Sequence, residues 1–192
     1  MAKLYFYYAA MNAGKSTTLL QAAFNYSERG MATSLWTSAI GDRTRTEAIE
    51  SRIGLRAPAH CFDASTDLGI QIAVTHANAP IACVLVDEAQ FLNATQVWQL
   101  AHIADRLNIP VLCYGLRTDF QGQLFQGSAA LLGIADVLVE LKTICHCGRK
   151  AIMNMRVDAD GTPVRQGQQT EVGGNDRYVA LCRRHFSAAL DG

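Results

Sequence analysis

The eight residues Ala9-Ala10-Met11-Asn12-Ala13-Gly14-Lys15-Ser16 constrain this chain more than any other stretch. They follow an aromatic run, Leu4-Tyr5-Phe6-Tyr7-Tyr8, that reads as a buried strand. They lead into a helical pattern over residues 15–28, in which Leu19, Leu20, Ala23 and Phe24 recur at helical spacing and Gly30 is the expected stop. A small-residue turn between a strand and a helix aims backbone N–H groups at an anion beside the positive helix end. In such a loop Gly14 lets the backbone approach phosphates, Lys15 reaches the β- and γ-phosphates, and the Ser16 hydroxyl is placed to ligate Mg²⁺. The usual first residue is glycine; here it is Ala9, whose Cβ requires a negative φ. The pattern predicts a nucleoside triphosphate site. A plain turn with a helix-capping serine is the structural alternative.

A second motif weighs against that alternative. Ile81-Ala82-Cys83-Val84-Leu85-Val86 is a continuous apolar run, as expected of a strand covered on both faces, and it ends at Asp87-Glu88. A carboxylate at the end of a central strand lies beside a phosphate loop, where Asp87 would hold Mg²⁺ directly or through water. Glu88, pointing the other way, is available as a base. Further strands are expected at residues 33–37, 110–114 and 137–141, and a helix at 68–76. Asn93 with Gln96 resembles a capping box, opening a helix with an apolar stripe of Val97, Leu100, Ala101, Ala104 and Leu107. Residues 38–58, with Gly41, Gly54 and several arginines, read as a long loop. Strands alternating with helices predict an α/β domain with a mostly parallel sheet.

At 192 residues the chain suits one domain plus a small appendage. Its 17 basic residues balance its 17 acidic ones, which argues against a protein that coats nucleic acid. No apolar run approaches a membrane span. The start, Met1-Ala2-Lys3-Leu4-Tyr5, does not read as a signal peptide, so a cytoplasmic location is expected.

Beyond about Lys142 the texture changes to Cys, Gly, Arg and short β-like pieces, giving an expected boundary between residues 1–141 and 142–192. Cys145-x-Cys147 and Cys182-x-x-His185 form two ligand pairs with 34 residues between Cys147 and Cys182. Four such ligands describe a closed tetrahedral zinc site, structural because no position is left for water. His146 is a rival ligand, and unrelated buried cysteines are the bland reading. Cys61, Cys83 and Cys113 are scattered singly, as in a reducing compartment.

Together these residues resemble the type II, zinc-containing thymidine kinases, in their bacterial branch, over essentially the whole chain. The family phosphate loop is kept at Met11, Gly14, Lys15 and Ser16. The acidic motif appears as Asp87-Glu88-Ala89-Gln90-Phe91, and Gly115-Leu116-Arg117-Thr118-Asp119-Phe120-Gln121-Gly122 and Gly173-Gly174-Asn175-Asp176-Arg177-Tyr178 also look like family signatures. The resemblance implies a P-loop NTPase fold of the RecA-like kind with a small C-terminal zinc-ribbon and lasso domain. It implies transfer of the γ-phosphate of ATP-Mg²⁺ to the 5′-hydroxyl of thymidine, with Glu88 as general base. ATP and Mg²⁺ would meet residues 9–16 and Asp87, Glu88, Ala89 and Gln90. Thymidine would meet Met11, Arg43, Phe91, Leu116, Phe120, Val172, Gly173 and Tyr178, the last stacked on the base.

Two departures from the family pattern stand out. Gly41 occupies the place of a family aspartate, with Asp42 displaced by one, and Glu171 stands where an aliphatic residue is usual. The resemblance also implies a homotetramer inhibited by thymidine triphosphate, with no nucleic-acid or membrane partner. Two rivals compete with it: a RecA-like nucleic-acid motor, for which 192 residues lack a second motor domain, and a zinc-ribbon interaction module with a vestigial nucleotide site.

Overall fold

The computed structural model describes residues 1–39, 47–170 and 177–191. The chain runs β1 (Leu4–Ala9), α1 (Lys15–Ser27), β2 (Thr33–Ser38), β3 (Ala48–Glu50), β4 (Arg56–Pro58), β5 (His60–Phe62), α2 (Leu68–Asn78) and β6 (Cys83–Val86). A 3-10 turn (Ala89–Phe91), α3 (Ala94–Leu107), β7 (Val111–Leu116), α4 (Gln126–Ile134) and β8 (Val137–Glu140) follow. The chain ends with β9 (Thr143–Ile144), β10 (Lys150–Ala151), β11 (Met153–Arg156), β12 (Tyr178–Leu181) and α5 (Arg183–Asp191).

Six strands form one sheet in the order β5-β2-β6-β7-β1-β8, and every pairing in it is parallel. Parallel neighbours need crossovers, so both faces are covered and the strands are apolar on both sides. In β6 the two-residue alternation of side chains decides which layer each meets. Val84 and Val86 pack with Leu68, Ile72, Val97, Leu100 and Leu131 from α2, α3 and α4. Cys83 and Leu85 pack on the other face with Leu19, Leu20 and Ala23 from α1. Phe24, placed in the apolar pattern of α1, is instead 57% exposed.

The helix ends carry the expected chemistry. Asn93 and Gln96 form a reciprocal capping box at the start of α3. Gly30 adopts a left-handed φ of 68° just beyond α1. Two regions differ from the reading of the sequence. The expected loop over 38–58 contains an antiparallel hairpin, β3–β4, followed by β5 as an edge strand of the main sheet. Ile49 from this hairpin is buried under α1, an anchor too short to show a period. Helices α4 and α5 are not expected from the sequence; α4 holds two glycines, and α5 begins at Arg183, between the expected metal ligands Cys182 and His185. Among the described residues, no helix is long and apolar enough to cross a membrane.

Candidate active site

Because all six strands point the same way, their carboxyl ends share one edge, where ligands of open α/β sheets bind. Ala9, Val86 and Leu116 end β1, β6 and β7 there. Ala9 closes β1 opposite Leu116 with no positive φ, so its Cβ is accommodated. The loop then turns through left-handed Asn12 (φ 65°) and Gly14 (φ 77°) into α1. Asn12 bears a strain that Gly14 avoids. No side chain caps α1, leaving its first-turn N–H groups at the wall of a cleft of about 300 Å³.

Met11, Asn12, Gly14, Lys15, Ser16, Glu88 and Leu116 line that cleft, together with the hairpin residues Glu50, Ser51, Arg52 and Ile53. Lys15 is largely buried and its ammonium donates to the Ala10 carbonyl (3.2 Å). The Ser16 hydroxyl reaches across β7 to donate to Asp87 Oδ2 at 2.8 Å. A hydroxyl and a carboxylate side by side are hard oxygen donors, the set that Mg²⁺ prefers.

Asp87 is 1% exposed. Burial, and secondarily the charge of Glu88, pushes its carboxyl up to about 6, against the Ser16 hydrogen bond and the charge of Lys15. Glu88 itself sits in the left-handed region (φ 53°), a costly conformation for a residue with a side chain. Its N–H donates to Asp87 Oδ1, and its carboxylate accepts from the Gln90 amide. Gln90 in turn accepts from the Leu116 N–H (3.0 Å). A Cβ on Gly115 would lie 2.9 Å from the Gln90 side chain, so glycine is what lets this relay close. Gln90 thus orients Glu88, while Ala89 is packed in the core.

Of the residues expected around a nucleoside, Phe120 and Tyr178 meet over a buried arginine that the sequence did not single out. The Arg156 guanidinium lies 3.8 Å from the centroid of the Phe120 ring and donates from Nε to the Tyr178 hydroxyl. It also donates to the carbonyls of Gln168 and Gln169 (2.9 and 3.3 Å), so one guanidinium links Tyr178 to Gln168 and Gln169. Asp119 is a loop organiser, accepting from the N–H groups of Gln121 and Gln123 and from the Gln169 amide. Phe91 packs edge-on against Phe125 at 5.8 Å. Arg43, Val172 and Gly173, and with them Gly41, Asp42 and Glu171, lie outside the described residues.

Asn154 is a second unanticipated residue. It is buried in β11, accepts from the Met11 N–H (2.7 Å) and donates to the Thr118 carbonyl (3.1 Å). A lone asparagine in a short strand gives no sign of such a role. The late strands are therefore tied directly to the phosphate loop.

Cys145, Cys147, Cys182 and His185 bring one ligand atom each within 4.8 Å of one another. Tetrahedral zinc with Zn–S bonds of about 2.3 Å needs sulfurs about 3.8 Å apart. Cys147 Sγ and Cys182 Sγ are 3.9 Å apart, and His185 Nδ1 is 3.3 and 3.5 Å from the Cys145 and Cys182 sulfurs. The four could hold a metal ion. His146, the rival, stacks on the His185 ring at 4.3 Å.

Comparison with known proteins agrees with this geometry. Residues 2–186 match the family model described as thymidine kinase. The chain is 73% identical over 190 residues to a thymidine kinase of Novosphingobium aromaticivorans, covering 99% of both chains. It is 61% identical over 191 residues to one from Zymomonas mobilis (100% of this chain, 99% of that one). A Vibrio cholerae thymidine kinase shares 59% over 190 residues, again 99% of both. A match running almost end to end, with relatives of matching length, places this chain in the thymidine kinase family.

Proposed function

We propose that this enzyme transfers the γ-phosphate of ATP to the 5′-hydroxyl of thymidine, giving thymidine monophosphate. The observation that carries the proposal is the contact of Ser16 with Asp87 across β7, with Lys15 and Glu88 on the same cleft. In this reading residues 9–16 cradle the triphosphate, Lys15 neutralises charge on the transferred group, and Ser16 and Asp87 hold the metal side of ATP-Mg²⁺. Bound Mg²⁺ supplies neutralisation of the β- and γ-phosphate oxygens. Glu88 takes the proton of the 5′-hydroxyl; that oxygen forms its bond to the γ-phosphorus as the bond to the ADP oxygen breaks, its electron pair leaving with ADP.

Thymidine is assigned to Met11, Leu116, Phe91, Phe120 and Tyr178, of which Met11 and Leu116 line the cleft, with Arg43, Val172 and Gly173 completing the set that the family resemblance implies. Zinc at Cys145, Cys147, Cys182 and His185 is structural and braces the 142–192 unit that carries the lasso. The reading includes a cytoplasmic location, for which the unpaired Cys61, Cys83 and Cys113 speak. It also includes a homotetramer and inhibition by thymidine triphosphate, both from the family resemblance.

An assay with ATP-Mg²⁺ and a panel of nucleosides tests the reading. Thymidine should be phosphorylated at its 5′ position, and Glu88→Gln should keep ATP binding while losing about 10²–10⁴-fold in turnover. ATP hydrolysis stimulated by DNA, with no thymidine product, would overturn it.

A further inference from the structure

Strand β11 turns a different kind of residue to each side. Side chains alternate along a strand, and Met153 and Met155 pack in the small core with Cys145, Leu181, Cys182 and Phe186. Asn154 and Arg156 therefore face the other way, and both are 2% exposed. Arg156 lies on the Phe120 ring. Asn154 meets Met11 and Thr118, at 2.7 and 3.1 Å. Antiparallel pairing with β12, with Asn154 opposite Ala180, holds the strand in this register. A buried amide is thus presented to the phosphate loop by a strand whose opposite face is anchored in a separate core.

The two partners of Asn154 are backbone groups of opposite kind. Its Oδ1 accepts from the Met11 N–H, and its Nδ2 donates to the Thr118 carbonyl. Turning the amide over would set donor against donor and acceptor against acceptor, so the partners fix its orientation. Each end of this bridge belongs to the side of a different substrate. Met11 lies in the phosphate loop, next to the left-handed Asn12. Thr118 lies between Leu116 and Phe120, both assigned to the nucleoside. Its loop is closed on itself: the Asp119 N–H donates to the Gln123 carbonyl, and the Asp119 carboxylate accepts from the Gln121 and Gln123 N–H groups. Holding Thr118 therefore holds this loop. In phosphoryl transfer the protein contributes mainly by placing donor and acceptor, so the spacing of these two loops bears directly on rate.

We propose that Asn154 is a positioning residue for phosphoryl transfer: by holding Met11 and Thr118 at once, it sets the spacing between the loop that carries the phosphate donor and the loop that bounds the nucleoside. The proposal rests on the kinase reading above. Asn154 acts through these two backbone groups and not on the reacting atoms, so its loss is felt in the rate of transfer more than in the binding of either substrate.

The test uses the full-length enzyme with Asn154→Leu, which keeps the bulk and removes both bonds, and Asn154→Ser, whose hydroxyl can donate and accept on a shorter arm. For each, kcat is measured with the thermal unfolding curve, well below the unfolding temperature. Equilibrium binding of thymidine, and of an ATP analogue unable to transfer its γ-phosphate, gives dissociation constants and the number of sites per chain. Asn154→Leu should lower kcat by about 10- to 100-fold, the scale of a misplacement of roughly 1 Å, with both dissociation constants within about threefold and the site number unchanged. Its unfolding temperature should fall, because two buried backbone groups lose their partner; the unchanged site number separates that effect from the rate. Asn154→Ser should lose about 3- to 10-fold in kcat, and where the leucine variant does not fold the serine variant decides by the same split. A kcat within about twofold of the unchanged enzyme would overturn the proposal. So would a kcat that falls only in step with the number of sites, the mark of a residue that merely supports the fold, or a dissociation constant that rises as far as kcat falls. If the unchanged enzyme does not phosphorylate thymidine, the kinase reading fails and the proposal with it; an active enzyme with an unaffected variant overturns the proposal alone.

Discussion

At the scale of single residues, the site is a set of groups held in conformations they would not choose alone. Glu88 lies in the left-handed region and is kept there by its bonds to Asp87 and Gln90. Asp87 is buried with its acid strength reduced, so the folded chain binds its proton more tightly than the unfolded chain does. Stability from this group is therefore highest at low pH and is lost as pH rises from about 4 to about 6. Replacing it removes that penalty. Asp87→Asn should be more stable than the natural enzyme at pH 7 by something on the order of 1–3 kcal/mol, and no more stable at pH 4. Denaturant melts at the two pH values check this, and the same variant should lose phosphoryl transfer.

At the scale of elements, what repeats was legible and what bends was not. The aromatic run of β1, the apolar run of β6 and the capping box of α3 each carry a period or a pairing that a single sequence displays. The Gly-Lys-Ser loop and the acidic strand end are equally plain, since their chemistry depends on adjacent residues. The hairpin is different: three-residue strands have too few alternations to show a face, and their burial comes from α1, far away in sequence. Gln90 as the orienter of Glu88, and Asn154 as a link to Met11, depend on distances that exist only after folding. Helix α4 escaped for a related reason. Its Gly127 presses so closely on the 3-10 turn that a Cβ there would stand 2.5 Å from the Ala89 carbonyl and 2.7 Å from that of Leu92. Gly127→Ala should destabilise the protein by about 1–3 kcal/mol through overpacking against backbone. A shift in the denaturation midpoint reads it. Because this contact backs the Glu88 turn, activity should fall further than stability alone explains.

At the scale of the whole molecule, the late strands and the phosphate loop are one mechanical system. Cys145 and Cys182 belong to the same small core as Met155 and Phe186, and Asn154 next to Met155 grips both Met11 and Thr118. Small β units of this kind depend on a staple because their own core is thin. Cys182→Ser should release zinc, measured as metal content per chain, and should raise KM for thymidine more than KM for ATP. One zinc per chain in that variant would remove Cys182 from the ligand set.

The uniform direction of the six strands has a further consequence for how this molecule comes into being. No two neighbours in that sheet can be joined by a tight turn, so each pairing waits for a crossover to be completed. The groups that meet at its edge come from positions 16, 87, 116 and 154, separated by long stretches of chain. Such distant contacts form slowly, because the entropy of closing long loops is lost before any contact rewards it. Every described residue that lines the cleft lies between positions 11 and 116, so the cleft waits for β7 to be made, and the Asn154 link to Met11 comes later still.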